Sequence, residues 1–224
     1  MSTIKENYER ILERMAAAAA RAGRSVDEVT LVAVTKTWPI EVLMVAYEAG
    51  MRHFGENRAE ELAEKRTFFE QELGDAHDVT WHFIGAPQSR KTGTIAEHAD
   101  LFHALERLKV GNRLSRQLGE NGRFLPTFLE VNVSGEASKS GFAAKRWMSD
   151  ATIQDALRRD VETIHNLAGL NLQGLMTMAP WGAETAVIRD VFQQTKALAG
   201  WLEAEIDTIR LPALSMGMTD DFEI

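Results

Sequence analysis

Short apolar runs alternate with longer amphipathic stretches from Val29 onward. The runs are rich in β-branched and aromatic residues, and the first of them, VTLVAVT, reads as a strand covered on both faces. This alternation predicts successive βα units on a parallel sheet. We predict strands near residues 29–35, 51–55, 80–84, 100–104, 127–133, 171–178 and 211–215.

Helical periodicity fills the intervals between these runs. Pro39 and Gly50 mark the start and stop of the second helix, and Asn57 with Glu60 reads as the N-cap and capping-box partner of the third. Segment 133–145, VSGEASKSGFAAK, is the best candidate for a mobile lid. We predict helices over residues 3–21, 40–49, 58–73, 88–98, 106–120, 150–166 and 184–205.

The length of 224 residues fits one α/β domain, residues 1–224, because no linker or internal repeat divides it. Seven strands in this alternation favour a (β/α)8 TIM barrel that lacks its last βα unit. An open, doubly wound sheet is the alternative, and the pattern alone separates the two only weakly.

The amino-acid composition excludes several classes of site and partner. The chain has no cysteine, which excludes disulfides, thiolate zinc sites and cysteine nucleophiles. Its net charge of -8 argues against a nucleic-acid partner. The sequence shows neither a long apolar span nor a secretory signal, so we expect a cytoplasmic protein without membrane contact. The six histidines lack H-E-x-x-H spacing, and no metal site is predicted.

Reactive side chains in such a barrel follow the carboxyl ends of the strands. Lys36 ends the first predicted strand, and a desolvated lysine can attack an aldehyde to form an imine. In the segment LSMGMTDDF, Ser215 offers a hydroxyl, Gly217 admits a ligand to backbone N–H groups, and Thr219 or Asp220 begins another helix. That is a typical phosphate seat. The alternatives are a solvated lysine and an ordinary glycine turn.

Five segments together resemble the pyridoxal-phosphate homeostasis proteins, whose barrel is similar to the N-terminal domain of alanine racemase. They are VAVTKTWPIEVLMVAYEAGMRHFGEN, WHFIG with the following QS and K, FLEVNVSGEASKSGF, LQGLMTMAP and LSMGMTDDFE. The resemblance implies that the chain binds pyridoxal 5′-phosphate as a Schiff base and carries or stores it in vitamin B6 homeostasis. It also implies a monomer with no robust catalytic activity and transient contacts with enzymes that use the cofactor.

The resemblance assigns roles to eight residues. They are Lys36 as the Schiff-base lysine, Asn57 as a cofactor contact, Ser215, Gly217, Met218 and Thr219 as the phosphate cup, and His82 and Met176 as pocket wall. For His82, an ordinary hydrogen-bonded strand histidine is an equal alternative, whereas a methionine at the position of Met176 is more often core than site.

Two departures from the family pattern stand out. The chain reads GAPQSRK where the family reads Gly-His-Leu-Gln-Ser-Asn-Lys, so Ala86, Pro87 and Arg90 replace the familiar residues. The family also continues through a closing strand with an Arg-Ile-Gly-Thr motif, so we expect this sequence to be truncated at its C-terminus.

Three other functions remain open at this stage. An amino-acid racemase would need a second acid or base, usually a tyrosine from another domain, whereas Tyr8 and Tyr47 lie on predicted helices. GAPQSRKT approaches a nucleotide-binding loop, but Arg90 occupies the required glycine. The chain could also be an interaction protein in which Lys36 is a surface charge.

Overall fold

Helices and strands alternate through residues 3–74 and 78–224, which are the residues that the computed structural model describes. The α-helices are α1 (Ile4–Arg21), α2 (Ile40–Glu48), α3 (Ala59–Leu73), α4 (Thr92–His98), α5 (Leu108–Asn121), α6 (Ala151–His165) and α7 (Thr185–Glu205). The strands are β1 (Ala33–Val34), β2 (His53–Glu56), β3 (Thr80–Phe83), β4 (Leu101–Leu105), β5 (Leu125–Asn132), β6 (Phe142–Ala143), β7 (Leu170–Met176) and β8 (Ala213–Ser215).

The strands form one parallel sheet in the order β1-β2-β3-β4-β5-β7-β8, and β6 pairs beside the path with β5. Apart from β6, each strand lies next to its neighbour in sequence. A doubly wound sheet would reverse its strand order at a switch point, so the barrel-type prediction is confirmed. Strands β1 and β8 are the two edges of the sheet and are not paired with each other within the described ranges.

The helix side of the sheet holds a layer of buried aromatic residues. Phe54 of β2 lies in register with Trp81 of β3, and Phe83 lies in register with Phe102 of β4. Phe69 of α3 packs edge-on against Trp81, with ring centroids 5.3 Å apart. Because successive side chains of a strand point to opposite faces, the residues between these aromatics face the concave side of the sheet.

The capping prediction for α3 is wrong. The helix begins after Arg58, which makes no side-chain cap hydrogen bond, and the Glu60 carboxylate pairs with Lys91 instead of turning back to the helix start. Asn57 lies one residue before the cap. Its carbonyl oxygen would be 2.3 Å from a Cβ on Gly85, so only glycine fits at position 85.

The predicted lid contains β6, which the sequence pattern missed. The Asn132 side-chain amide donates to the backbone carbonyls of Glu136 and Lys139, at 2.9 and 3.3 Å. The Lys139 ammonium in turn donates to the Met178 carbonyl at 2.8 Å. The segment is therefore hydrogen-bonded to β5 and to the chain after β7. No helix among the described residues is long and apolar enough to cross a membrane.

Candidate functional site

Lys36 lies in a tight turn directly after β1. The Trp38 N–H donates to the Thr35 carbonyl at 3.1 Å, and Thr37 has a φ of 67°. A left-handed third residue is typical of a type II turn, in which Lys36 takes the second position. Lys36 is exposed, and no hydrogen bond or ion pair engages its ammonium within residues 3–74 and 78–224.

A cluster of charged and polar groups, buried except for Glu61, holds this turn from the helix side. The ammonium of Lys65, on α3, donates to the Thr35 carbonyl at 2.9 Å and pairs with Glu56 Oε1 at 2.8 Å. The Thr35 hydroxyl also donates to Glu56 Oε1, at 2.7 Å. Glu61 Oε2 accepts the Thr37 N–H at 3.0 Å. We call these residues, Thr35, Glu56, Glu61 and Lys65, the Lys65 cluster.

The electrostatics of the Lys65 cluster follow from burial and from these bonds. Burial raises the pKa of Glu56, while Lys65 and the Thr35 hydroxyl oppose that shift. The hydrogen bond from the Thr37 N–H lowers the pKa of Glu61, and the charge of Lys65 adds to the effect. Because the Thr35 side chain faces α3, the alternation along an extended chain predicts that Lys36 faces the concave side.

Three histidines and a serine form a continuous hydrogen-bonded chain on the concave side. His53 Nδ1 lies 3.0 Å from His82 Nε2, and His82 Nδ1 lies 2.8 Å from His103 Nε2. His103 Nδ1 then lies 2.7 Å from Ser215 Oγ. The last contact joins β4 to β8, which are not neighbours in the sheet, so it crosses the concave side. Phe128 stacks on His103 with ring centroids 4.9 Å apart. We call His53, His82, His103 and Ser215 the histidine chain.

The imidazoles of the histidine chain are neutral at neutral pH. Burial, together with the nearby His103 and His53, lowers the pKa of His82 to about 3. Burial also lowers the pKa of His103 to about 4 and lowers that of His53. A neutral imidazole has one N–H donor and one acceptor nitrogen.

Ser215 is followed by a turn whose geometry needs glycine. Gly217 has a φ of 85°, and a Cβ there would be 3.1 Å from Phe222 Cα. The Met218 carbonyl accepts the N–H groups of Asp221 and Phe222, and the Met218 N–H donates to the Asp221 carboxylate. The segment therefore forms a single turn over residues 219–223 that begins at Met218, which corrects the predicted helix start at Thr219 or Asp220.

The remaining predicted site residues lie around these two features. Met176 is buried and lies in register with Ser215, on the same side of the sheet as the histidine chain. Thr219 is exposed in the turn after Gly217, and Asn57 is exposed directly after β2. His82 is buried in the middle of the histidine chain, as either sequence interpretation allows. The assignment of these residues as cofactor contacts stays a prediction.

Sequence reasoning missed Glu130. This residue of β5 lies in register with Met176 and is only 3% exposed. Burial raises its pKa to about 7, and the charge of Glu106 contributes to the shift. A lone acid in the apolar run FLEVNV was the available signal. His53 and His103 were also missed. No group of three or more potential metal ligands occurs among the described residues.

Comparisons with known proteins place these features in a family. Residues 4–223 match the family model for the alanine racemase N-terminal domain. A pyridoxal phosphate homeostasis protein of Pseudomonas aeruginosa is 41% identical over 223 residues, which cover 100% of this chain and 88% of that protein.

Solved structures agree with the sequence comparison. PipY of Synechococcus elongatus, with pyridoxal phosphate bound, is 33% identical and has a TM-score of 0.76, with 95% of this chain and 91% of that chain covered. An alanine racemase of Clostridium difficile is 10% identical with a TM-score of 0.67, over 95% of this chain and 50% of that chain, and shows the fold alone. The chain therefore belongs to the pyridoxal phosphate homeostasis protein family, which has the fold of the alanine racemase N-terminal domain.

Proposed function

We propose that this chain binds pyridoxal 5′-phosphate through a Schiff base to Lys36 and acts as a carrier or store in vitamin B6 homeostasis. The observation that carries the proposal is the Lys36 turn. The Lys36 amine has no hydrogen-bond or ion-pair partner among the described residues, and the Lys65 cluster fixes the backbone beside it at Thr35 and Thr37. The pyridoxal phosphate bound to PipY, a relative of similar fold, supports the same ligand.

The residues present fit both ends of this cofactor. The cofactor supplies an aldehyde carbon, and an unprotonated Lys36 amine would form a C=N bond to it, with the aldehyde oxygen leaving as water. Hydrolysis, or exchange with another amine, reverses that bond, as a carrier requires. At the other edge of the sheet, the Ser215 hydroxyl and the backbone of Gly217, Met218 and Thr219 would hold the phosphate.

One of the backbone N–H groups at the proposed phosphate site is already hydrogen-bonded within the protein. The Met218 N–H already donates to the Asp221 carboxylate. A phosphate at that N–H would have to displace this carboxylate, whereas the N–H of Thr219 carries no hydrogen bond within the described segments. We therefore assign the larger part of the phosphate contact to Ser215 and Thr219. Asn57, His82 and Met176 would border the rest of the cofactor.

A carrier fits the geometry better than a racemase. Both tyrosines of the chain are used in packing: the Tyr47 ring lies edge-on to Phe69 at 5.9 Å and beneath the Arg52 guanidinium at 4.2 Å. Tyr8 lies on α1, with its ring 3.6 Å from the Cβ position of Gly50. Neither supplies the second acid or base that a racemase needs. A cytoplasmic location, a monomeric state and transient contacts with recipient enzymes stay predictions.

The test is a visible absorption titration with pyridoxal phosphate. We expect an absorption band that borohydride reduction makes permanent, with the label on the peptide that contains Lys36. Lys36→Ala should abolish the band, whereas Lys109→Ala, which changes an exposed lysine on α5, should leave it unchanged. Label spread over several lysines, or a band that survives in Lys36→Ala, would contradict the proposal. Loaded protein given L-alanine should form no D-alanine.

A further inference from the structure

The histidine chain can be hydrogen-bonded in only two ways. Both ring nitrogens of His82 and both of His103 are engaged, and each neutral ring offers one donor and one acceptor. Once one N–H in the chain is placed, every other hydrogen follows. The three rings and the serine hydroxyl therefore point their hydrogens together, either all toward Ser215 or all away from it.

The two directions leave the Ser215 hydroxyl in opposite roles. In the first, His53 Nδ1–H donates to His82, His82 Nδ1–H donates to His103, and His103 Nδ1–H donates to Ser215 Oγ. The serine hydrogen is then free for a ligand. In the second, the serine hydroxyl donates to His103 Nδ1, and the Nε2–H groups of His103 and His82 continue toward His53. The serine then has only lone pairs to offer.

We propose that His53, His82 and His103 are positioning residues that make the Ser215 hydroxyl a hydrogen-bond donor to a phosphate monoester dianion. The inference rests on the proposed function, in which Ser215 holds the phosphate. The oxygens of a phosphate dianion only accept hydrogen bonds, so such a ligand selects the first direction along the whole chain. The histidine chain thus discriminates a phosphorylated ligand from the same ligand without its phosphate.

The surroundings of the histidine chain restrict its hydrogen bonds to these two directions. Imidazolium has two N–H donors and would break the single direction, but burial holds the three rings neutral at neutral pH. The stacked Phe128 ring fixes the plane of His103. Two buried histidines with a partly buried third beside them are also costly as packing groups alone, because apolar side chains in their place would need no hydrogen-bond partners.

The binding test compares pyridoxal phosphate with pyridoxal, which has the same aldehyde and ring but no phosphate. His103→Leu removes the group that directs the Ser215 hydrogen at the phosphate and should weaken pyridoxal phosphate binding by about tenfold, because the hydrogen bond from the serine to the charged phosphate is then no longer held in place. Binding of pyridoxal should change by less than about twofold. His103→Asn keeps an N–H donor in the same region and should recover most of the difference.

Controls separate this role from a structural one. His165→Leu changes an exposed histidine of α6 and should affect neither ligand. Equal weakening of both ligands in His103→Leu would show that His103 only supports the fold, and the inference would then be wrong. If wild-type protein forms no borohydride-fixable band at Lys36, the proposed function itself fails, which is a different result.

A second measurement needs no substitution in the chain. Ring ¹⁵N chemical shifts of histidine-labelled protein report which nitrogen carries the hydrogen. With inorganic phosphate bound, His82 and His103 should both be protonated at Nδ1, and the same shifts should appear in Lys36→Ala, because they do not depend on the Schiff base. Protonation of these rings at Nε2 with phosphate bound would overturn the inference. So would chemical shifts that report a mixture of both protonation sites and do not change when phosphate is added at any concentration.

Discussion

The two edge strands of the sheet hold their key residues by different kinds of interaction. Behind Lys36 at the end of β1, the Lys65 cluster places two carboxylates around one buried ammonium on the helix side. At the end of β8, Ser215 is held from the concave side by neutral rings. Charged side chains hold the Lys36 turn, whereas a neutral ring holds the Ser215 hydroxyl.

The two sets of interactions also act on different kinds of atoms. The charged cluster acts on backbone atoms, since it binds the Thr35 carbonyl and the Thr37 N–H, and leaves the Lys36 side chain unengaged. The neutral chain acts on a hydroxyl and determines which way its hydrogen points. A buried ion pair is strongly destabilising to break, whereas a neutral hydrogen bond contributes about 1 kcal/mol. The β1 edge is therefore the more costly of the two to disturb.

Removing the ammonium of the Lys65 cluster should have the largest effect. Lys65→Met leaves the buried Glu56 carboxylate uncompensated and should lower the free energy of unfolding by about 3–5 kcal/mol. Urea denaturation at pH 7 measures it. Adding Glu56→Gln should recover at least half of the loss, since the unpaired charge is then gone.

A surface pair supplies the matched control for that substitution. Lys5 and Glu9 lie 4.0 Å apart on α1 and are both exposed. Lys5→Met should therefore change the unfolding free energy by less than about 0.5 kcal/mol. A cost for Lys65→Met close to that of Lys5→Met would remove the contrast between the two edges.

Glu130 should make the stability of the fold depend on pH between about 4.5 and 7. Its pKa is raised from 4.5 to about 7, so the folded state holds a proton that the unfolded state releases, and stability falls as pH rises through that window. Glu130→Gln should be more stable than wild type by about 3 kcal/mol at pH 8 and equal to it near pH 4. Exposed Glu120, changed to Gln, should show no such pH dependence.

The histidine chain should respond to pH with the opposite sign. The pKa of His82 falls from 6.5 to about 3, so its contribution to stability is present above pH 6.5 and is lost as pH decreases toward 3. The decrease in wild-type unfolding free energy between pH 7 and pH 5 should be about 2 kcal/mol smaller in His82→Gln. Exposed His165, changed to Gln, is the control. An unchanged pH profile in His82→Gln would show that the ring is not held neutral by burial.

The sequence predicts the order of helices and strands well, because the hydrophobic period and the composition of a segment determine its secondary structure locally. All seven predicted strands exist, but β1 shortens from residues 29–35 to Ala33–Val34. As an edge strand it forms ladder pairs only with Phe54 and Gly55 of β2, and its apolar composition does not reveal where that pairing stops. β6 was missed because two residues in a loop-like segment carry no period.

The histidine chain could not be predicted in the same way. His103 and Ser215 are 112 residues apart, and only the curvature of the sheet brings β4 and β8 together across the concave side. His53, His82 and His103 share a face because of the register between neighbouring strands, and one sequence does not specify register. Lys36, in contrast, could be proposed from the sequence because its neighbours in sequence carry the motif.

Substitution of Thr37 by glycine should have the smallest effect on the unfolding free energy. It tests whether the turn after β1 is strained at this residue. A β-branched residue at a φ of 67° is unfavourable by about 1–2 kcal/mol. Thr37→Gly removes that strain but adds freedom to the unfolded chain, so the unfolding free energy should rise by less than about 1 kcal/mol. The Thr37 N–H to Glu61 is retained in this variant, so the Lys65 cluster stays intact. Thr37→Pro, which removes that N–H and is incompatible with positive φ, should be clearly destabilising. Equal stability of the two variants would show that neither the positive φ of Thr37 nor its N–H bond to Glu61 contributes to the stability of the turn.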